Sequence, residues 1–413
     1  KRPLIILGKD TRLSCYMLEQ AFSAGVCSQG GRVILTGPLP TPGVAFVTTS
    51  MRAAVGVVIS ASHNSFTDNG IKIFDGNGYK LPDQVELDLE KMVLNPKLIP
   101  IPSGSNLGNA IRMDEVIGRY IVQVKNSFPS KYSLENTKII LDCANGSGYK
   151  VGPMIFRELG AEVITMGVSP NGQNINDGVG SLHPKKCQEQ VKQYSAEMGI
   201  CLDGDGDRVV VIDKDGDVVD GDKLIGLFAK HLVDQGIMAA GDEVVGTVMS
   251  NLGLEKYLHG LGLKLSRTQV GDRYIIEQMR ISGAQLGGEP SGHVIFKQYS
   301  TTGDGLLAAL KVLECKKYYT KTLKQILDEI ILFPQVLKNI VVAAKPPLEK
   351  IPSINQVMQE VEKELGNSGR LLIRYSGTEP LCRVMVEGEE QNVVNDACDR
   401  MVDVITKELG IKE

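Results

Sequence analysis

The sequence has no tryptophan, no Cys-x-x-Cys pair, no surplus of basic charge and no apolar run near the roughly 20 residues that span a bilayer. Its amino terminus also lacks the apolar core of a signal peptide, so a soluble protein with no membrane partner is expected. The eight cysteines are scattered, and Cys143 and Cys201 sit inside apolar runs where a reduced thiol packs as a small hydrophobe. That usage reads as a reducing cytoplasm. A formal net charge of −4 and a pI near 5.9 give no electrostatic case for nucleic acid, although they leave room for a local basic pocket. The first residue is not Met and a strand over residues 4–7 follows almost at once, so the true start is expected to lie upstream.

What the chain does have is glycine, 45 residues of it, and β-branched runs that alternate with helical patterns. Together these predict α/β layers. A length of 413 residues is too great for one compact core and suggests about two to four domains. Residues 4–7, 32–35 and 55–59 read as strands and residues 13–28 as a helix, with polar breaks at Lys9-Asp10-Thr11-Arg12 and over residues 38–42. Asp75-Gly76-Asn77-Gly78, between residues 71–74 and 79–81, is a hairpin signal, because Gly and Asn tolerate the positive φ of tight turns. A helix over about 114–126, apolar at Val116, Ile117, Tyr120, Ile121 and Val124, is expected to bridge two domains.

A second unit opens at residues 138–144 and reaches a strand at 199–202; a third starts near Gly221, with strands near 243–248 and 264–268. Three units, each placing a short Gly-rich polar loop after an apolar strand, look like an internal triplication. Pro334, Pro346, Pro347 and Pro352 cluster where a linker to a smaller fourth domain would lie. In that last domain Val393, Val394, Ala397, Cys398, Met401, Val404 and Ile405 recur at helical spacing and should be core. The expected division is residues 1–126, 127–220, 221–333 and 334–413.

Four polar loops carry the chemistry. The strand at 55–59 breaks into Ser60-Ala61-Ser62-His63-Asn64, at the carboxyl end where open α/β sheets hold ligands. No Gly-x-Ser-x-Gly elbow surrounds Ser62, and His63, as its direct neighbour, should point elsewhere, so an acyl-transfer triad is disfavoured. A serine beside a metal can instead carry a phosphoryl group. Lys72 is the matching acid/base candidate, provided that its surroundings lower its pKa.

In Asp203-Gly204-Asp205-Gly206-Asp207-Arg208 three carboxylates alternate with glycines, so a sharp loop can aim them at one cation. An EF-hand would need Gly and Glu where Arg208 and Lys214 stand. Oxygen ligands without His or Cys favour a hard divalent ion, Mg²⁺ foremost. Glu289, Ser291 and His293 alternate across a Gly-framed loop and suit sugar hydroxyls. Arg374-Tyr375-Ser376-Gly377-Thr378-Glu379 follows another strand and offers a guanidinium, hydroxyls and open N–H groups to a phosphate, with Arg383 as a second fork if it points the same way.

As a set, these loops resemble those of the α-D-phosphohexomutase superfamily over essentially the whole chain. Ile59-Ser60-Ala61-Ser62-His63-Asn64 is similar to its phosphoserine loop, Asp203 to Asp207 to its metal loop, Glu289 to His293 to its sugar loop and Arg374 to Thr378 to its phosphate loop. Asn69-Gly70-Ile71-Lys72 matches the segment of its proposed acid/base lysine, and Val270-Gly271-Asp272-Arg273-Tyr274 resembles the glucosamine branch.

The resemblance implies three similar α/β domains with mixed sheets plus a smaller α+β C-terminal domain around a central cleft. It implies catalysis by Ser62 and Lys72, with His63 kept as a third candidate. Mg²⁺ would be held by Ser62, Asp203, Asp205 and Asp207, substrate by Glu289, Ser291, His293, Arg208 and Arg273, and phosphate by Arg374, Ser376, Gly377, Thr378 and Arg383. The implied activity exchanges glucosamine 6-phosphate and glucosamine 1-phosphate through a phosphoserine and a 1,6-bisphosphate, toward UDP-N-acetylglucosamine and the cell wall.

Three departures stand out. Nothing here matches the family's Asp-Gly-Ile-Arg-Gly opening, whose arginine attends the phosphoserine. Pro290 stands where glucosamine members usually have Gln, and Tyr375 where Pro or Lys is usual. The rival readings are a mutase for mannose or glucose phosphates and a non-catalytic phosphosugar-binding protein. Oligomeric state stays open, a homodimer included.

Overall fold

The computed structural model describes residues 2–95, 104–376 and 379–411. These fall into two compact units, Lys1–Met249 with Gly262–Asp328, and Ser250–Leu261 with Glu329–Glu413.

The first unit holds three sheets. The first is formed along β1 (Leu4–Lys9), α1 (Leu13–Ser28), β2 (Arg32–Pro38), α2 (Thr41–Ser50), β3 (Val55–Ile59), β4 (Ile71–Asp75), α3 (Asp83–Leu94) and β5 (Asn109–Arg112), and α4 (Val116–Asn126) follows it. The second runs through β6 (Lys138–Asp142), α5 (Val151–Glu158), β7 (Glu162–Met166), α6 (Lys185–Gln193), β8 (Met198–Leu202), β9 (Val209–Ile212) and β10 (Val218–Val219). The third comprises α7 (Gly221–Asp234), β11 (Glu243–Thr247), α8 (Leu252–Gly260), β12 (Lys264–Thr268), α9 (Asp272–Ser282), β13 (Leu286–Gly288) and β14 (Val294–Phe296), then α10 (Gly305–Tyr319) and α11 (Leu323–Leu327). Of these elements α8 alone groups with the second unit.

The three sheets share one topology. Their orders are β4-β3-β1-β2-β5, β10-β9-β8-β6-β7 and β12-β11-β13-β14. In each, the first strand lies between the second and third in parallel, and the fourth turns back antiparallel on the third. The turn from third to fourth strand is the serine loop, the acidic loop and the Glu289 loop in turn, which is what a triplicated unit predicts. Burial on both faces explains why β3 and β8 read as unbroken apolar runs.

Helix α2 left no amphipathic pattern because it is enclosed nearly all round, burying Thr41, Pro42, Gly43, Val44, Ala45, Val47 and Thr48. The expected 71–81 hairpin forms in short form: the antiparallel bridge Phe74 to Lys80 closes the Asp75 turn, the Asp75 N–H donates to the Tyr79 carbonyl at 2.7 Å and the Leu81 N–H to the Ile73 carbonyl at 3.1 Å, while the longer ladder of β4 is with β3. Helix α4 buries Val116, Tyr120, Ile121 and Val124, and its Tyr120 hydroxyl donates to Asp304 Oδ2 at 2.9 Å, at the amino-terminal cap of α10.

The second unit contains α8 and the sheet β15-β17-β16, built from β15 (Gln335–Val341), α12 (Pro352–Leu365), β16 (Gly369–Tyr375), β17 (Leu381–Gly388) and α13 (Gln391–Leu409). All its strand pairs are antiparallel. Val394, Ala397, Cys398, Met401 and Ile405 of α13 are buried in its core, as their spacing predicted. Of the prolines assigned to a linker, only Pro334 precedes β15; Pro346 and Pro347 follow it, and Pro352 starts α12.

Among the described residues no helix is long and apolar enough to cross a membrane. All eight cysteines are free thiols.

Candidate active site

β3 delivers Ser60 to a loop that turns at once. Ser60 Oγ accepts the Ser62 N–H at 3.0 Å, and Ser62 sits at φ 50°, a left-handed conformation that costs a non-glycine residue energy. In that pose Ser62 Oγ donates to Asp203 Oδ2 at 2.6 Å. The loop is held by two residues whose long-range contacts leave no trace in local sequence. Arg12 Nη2 donates to the carbonyls of Ser62 at 3.2 Å and Asn64 at 2.6 Å, and Asn176 Nδ2 donates to the same two at 2.9 and 3.0 Å. Arg12 follows β1 in the Lys9–Arg12 break, at the same end of the sheet as Ser62; that position was its only signal.

β8 ends in the acidic loop, where Asp203, Asp205 and Asp207 are buried and offer oxygens within 4.8 Å of one another. Asp205 Oδ1 and Asp207 Oδ1 are buried without a hydrogen-bond partner. Burial and the charges of Asp207 and Asp205 push the Asp203 pKa well above the usual carboxylate range. Unpaired buried carboxylate oxygens and an oxygen-only donor set fit a hard divalent cation. Thr41, whose only signal was its place in the 38–42 polar break, fixes the loop: its hydroxyl donates to Asp205 Oδ2 and its N–H to the Asp205 carbonyl at 2.9 Å.

Lys72, on β4, reaches into this cluster, 2.5 Å from Asp205 Oδ2 and 3.3 Å from Asp207 Oδ2. Burial opposes its charge, but Asp205 and Asp207 outweigh burial and raise its pKa. The lowered pKa expected of a base is therefore corrected: here Lys72 is a counter-ion to the acidic loop. For His63, burial first and then the Arg208 charge lower the pKa, and Nδ1 is buried without a partner. The charges of Asp207 and Asp205 act the other way and only partly offset this lowering.

The third loop splits its candidates. Glu289 Oε1 accepts the Gly271 N–H at 2.9 Å and Oε2 the Ser291 hydroxyl at 3.1 Å, while Ser291 itself is exposed. His293 is buried: Nε2 accepts the Gly303 N–H at 3.0 Å, which leaves the proton on Nδ1, 3.8 Å from Asp207 Oδ1. Arg208 lies by the acidic loop with its charge reinforced; burial opposes that charge, but Asp207, Asp203 and Glu289 overcome it. Arg273 is instead engaged by Asp83 and, at 2.6 Å, Glu86 of α3.

In the second unit, Arg374 on β16 and Arg383 on β17 are direct cross-strand partners and so share a face. Burial and then the Arg383 charge lower the Arg374 pKa, and Arg383 is paired with Glu379 at 3.0 Å. Two like charges in register create a site that an anion would relieve. Ser376 is buried and accepts the Glu379 N–H at 3.2 Å, and the Tyr375 hydroxyl donates to the Pro346 carbonyl at 2.7 Å. Gly377 and Thr378 lie outside the described residues.

A threefold sheet topology whose equivalent turns carry Ser62, three carboxylates and the Glu289 loop defines a class. Residues 1–98, 118–216 and 220–332 match alpha/beta/alpha domains I, II and III of phosphoglucomutase/phosphomannomutase, and residues 337–404 match its C-terminal domain. The chain belongs to this family, the α-D-phosphohexomutases.

Its relatives narrow the class. The phosphoglucosamine mutase of Syntrophotalea carbinolica is 48% identical over 100% of this chain and 90% of its own length. That of Pelobacter propionicus is 50% identical over 100% and 91%. Among solved structures, a phosphoglucomutase/phosphomannomutase family protein from Burkholderia thailandensis shares the fold at a TM-score of 0.83 and 21% identity, over 99% of this chain and 91% of that one. Aspergillus fumigatus N-acetylphosphoglucosamine mutase, in complex with GlcNAc-6P and magnesium, does so at 0.67 and 19%, over 89% and 92%.

Proposed function

We propose that the protein is a phosphoglucosamine mutase that interconverts glucosamine 6-phosphate and glucosamine 1-phosphate, with Ser62 as phosphoryl carrier. One observation carries this reading: Ser62 Oγ lies 2.6 Å from Asp203 Oδ2, in a loop where Asp205 Oδ1 and Asp207 Oδ1 are buried without a hydrogen-bond partner. Phosphorylated Ser62 gives its phosphoryl group to the free hydroxyl of the sugar phosphate, forming the 1,6-bisphosphate. The intermediate turns over, and its other phosphate returns to Ser62 Oγ.

Phosphoryl transfer depends chiefly on alignment and on neutralising oxygen charge. Asp203, Asp205, Asp207 and Ser62 would hold a divalent ion, Mg²⁺ by donor chemistry, which supplies that neutralisation when bound. Lys72 adds a fixed positive charge, and Arg208 a second. Arg374, Arg383, Ser376, Gly377 and Thr378 grip the phosphate that is not reacting. Glu289 and Ser291 read the sugar, and His293 steadies Asp207 from behind. The family matches to residues 220–332 and 337–404 support divisions near residues 220 and 333, whereas the domain II match begins at residue 118, inside the proposed 1–126 segment; free thiols fit a reducing cytoplasm, and a homodimer is the assembly to test first.

The test is turnover of glucosamine, mannose and glucose 6-phosphates side by side, with a phosphopeptide map. Ser62→Ala should remove the phosphopeptide and lower glucosamine turnover by about 10³-fold or more. Full activity in that variant would sink the carrier assignment, and a preference for the mannose or glucose substrate would sink the sugar assignment.

A further inference from the structure

The serine loop is braced from two sides. From its own sheet, Arg12 is fully buried and all five of its N–H donors are committed: Nε to the Ser65 carbonyl, Nη1 to Asp10 and the Ser60 hydroxyl, Nη2 to the carbonyls of Ser62 and Asn64. With no donor left, Arg12 holds backbone and cannot also grip a phosphate. From the second sheet's segment, Asn176 gives its amide to the same two carbonyls. Asn176 is itself buried and at φ 59°, a conformation that asparagine tolerates better than most residues.

A second contact closes the arrangement. A Cβ added to Gly204, between Asp203 and Asp205, would stand 2.6 Å from the Ser62 carbonyl and 2.9 Å from Asn176 Nδ2. The acidic loop therefore packs directly on the clamped peptide. Ser62 needs its left-handed φ to aim Oγ at Asp203, and such a conformation persists only where surrounding contacts over-determine it.

We infer that Asn176 is a positioning residue which, with Arg12, clamps the Ser62 and Asn64 carbonyls and so sets the direction of Ser62 Oγ toward the acidic loop. The inference deepens the mutase reading and rests on it for its kinetic consequence. Asn176 belongs to the same segment of the fold as the acidic loop, so the clamp ties carrier and carboxylates into one frame.

Two variants test it. Asn176→Gly removes the amide while accepting positive φ, and Asn176→Asp keeps the shape but replaces the donor by a carboxylate facing two carbonyls. Both should lower kcat for glucosamine 6-phosphate by about 10–100-fold with KM within about threefold, since misplacing a reacting group costs turnover more than binding. Deuterium exchange over residues 60–66 should rise in both, while the thermal midpoint of Asn176→Gly stays near that of wild type.

An unchanged kcat, or a loss of turnover with unchanged exchange at 60–66, overturns the inference. If wild type has no mutase turnover but exchange still rises in the variants, the functional reading fails and the clamp survives. If exchange is unaltered in variants of an active enzyme, the clamp fails and the function stands.

Discussion

Replacing Lys72 by Met would expose what this lysine does. Its Nζ lies 2.5 and 3.3 Å from two carboxylates that are almost wholly buried. At an effective dielectric constant near 20, two such contacts attract by on the order of 10 kcal/mol before desolvation. Burial of the ammonium offsets much of this, and breaking a buried pair leaves a net loss of about 3–5 kcal/mol because the carboxylates lose their counter-charge. In chelator, Lys72→Met should therefore melt roughly 5–10 °C below wild type.

The cause is electrostatic, so a divalent ion should repair it. Calorimetric melts titrated with Mg²⁺ should show the variant recovering most of its loss, with a midpoint concentration about tenfold or more below that of wild type, since a competing cation is gone. Activity would still be poor. An equal loss in chelator and in saturating Mg²⁺, or an unchanged Mg²⁺ midpoint, would refute the counter-ion account and leave Lys72 as packing alone.

Arg374→Ala should raise KM for glucosamine 6-phosphate by about 10–100-fold with a smaller change in kcat, the size expected for one charge-assisted phosphate contact; an unchanged KM in initial-rate assays would place the phosphate grip elsewhere. Burial raises the Asp304 pKa from 3.8 to about 6. The folded state then binds this proton more tightly than the unfolded chain, so the contribution is fully present below about pH 4 and is lost as pH rises through about 6, by about 3 kcal/mol. Urea melts in chelator should show that decline in wild type and a flatter profile in Asp304→Asn; parallel profiles would count against it.

Much of this was legible in the sequence, and the reason is local. The limits of β3, α1 and β12 coincide with the expected ones; for β3 the reason is a β-branched run buried on both faces, which is written in consecutive residues. The serine, acidic and Glu289 loops were likewise visible as polar breaks at strand ends. What stayed hidden depends on distant partners. Arg12 and Thr41 looked like loop punctuation until the fold set the first under residues 62–65 and the second, at the start of α2, against Asp205, and Asn176 carried no sign of its reach to Ser62. The sign of the Lys72 shift could not be read at all, because it depends on how closely Asp205 and Asp207 approach. Arg374 and Arg383 are nine residues apart in the chain, and only the register of β16 on β17 puts them side by side.

Helix α8 bears on how this protein could be taken apart and recombined. The second unit is not one stretch of chain: Arg370 Nη2 donates to the Ser250 carbonyl at 2.9 Å, the Leu252 N–H donates to Glu387 at 3.1 Å, and Asn251 brackets Phe333 through both its N–H and its carbonyl. A fragment beginning at residue 329 would leave these groups facing water or one another. Exchanging the C-terminal module between relatives therefore means transplanting two segments, 250–261 with 329–413, as a matched pair.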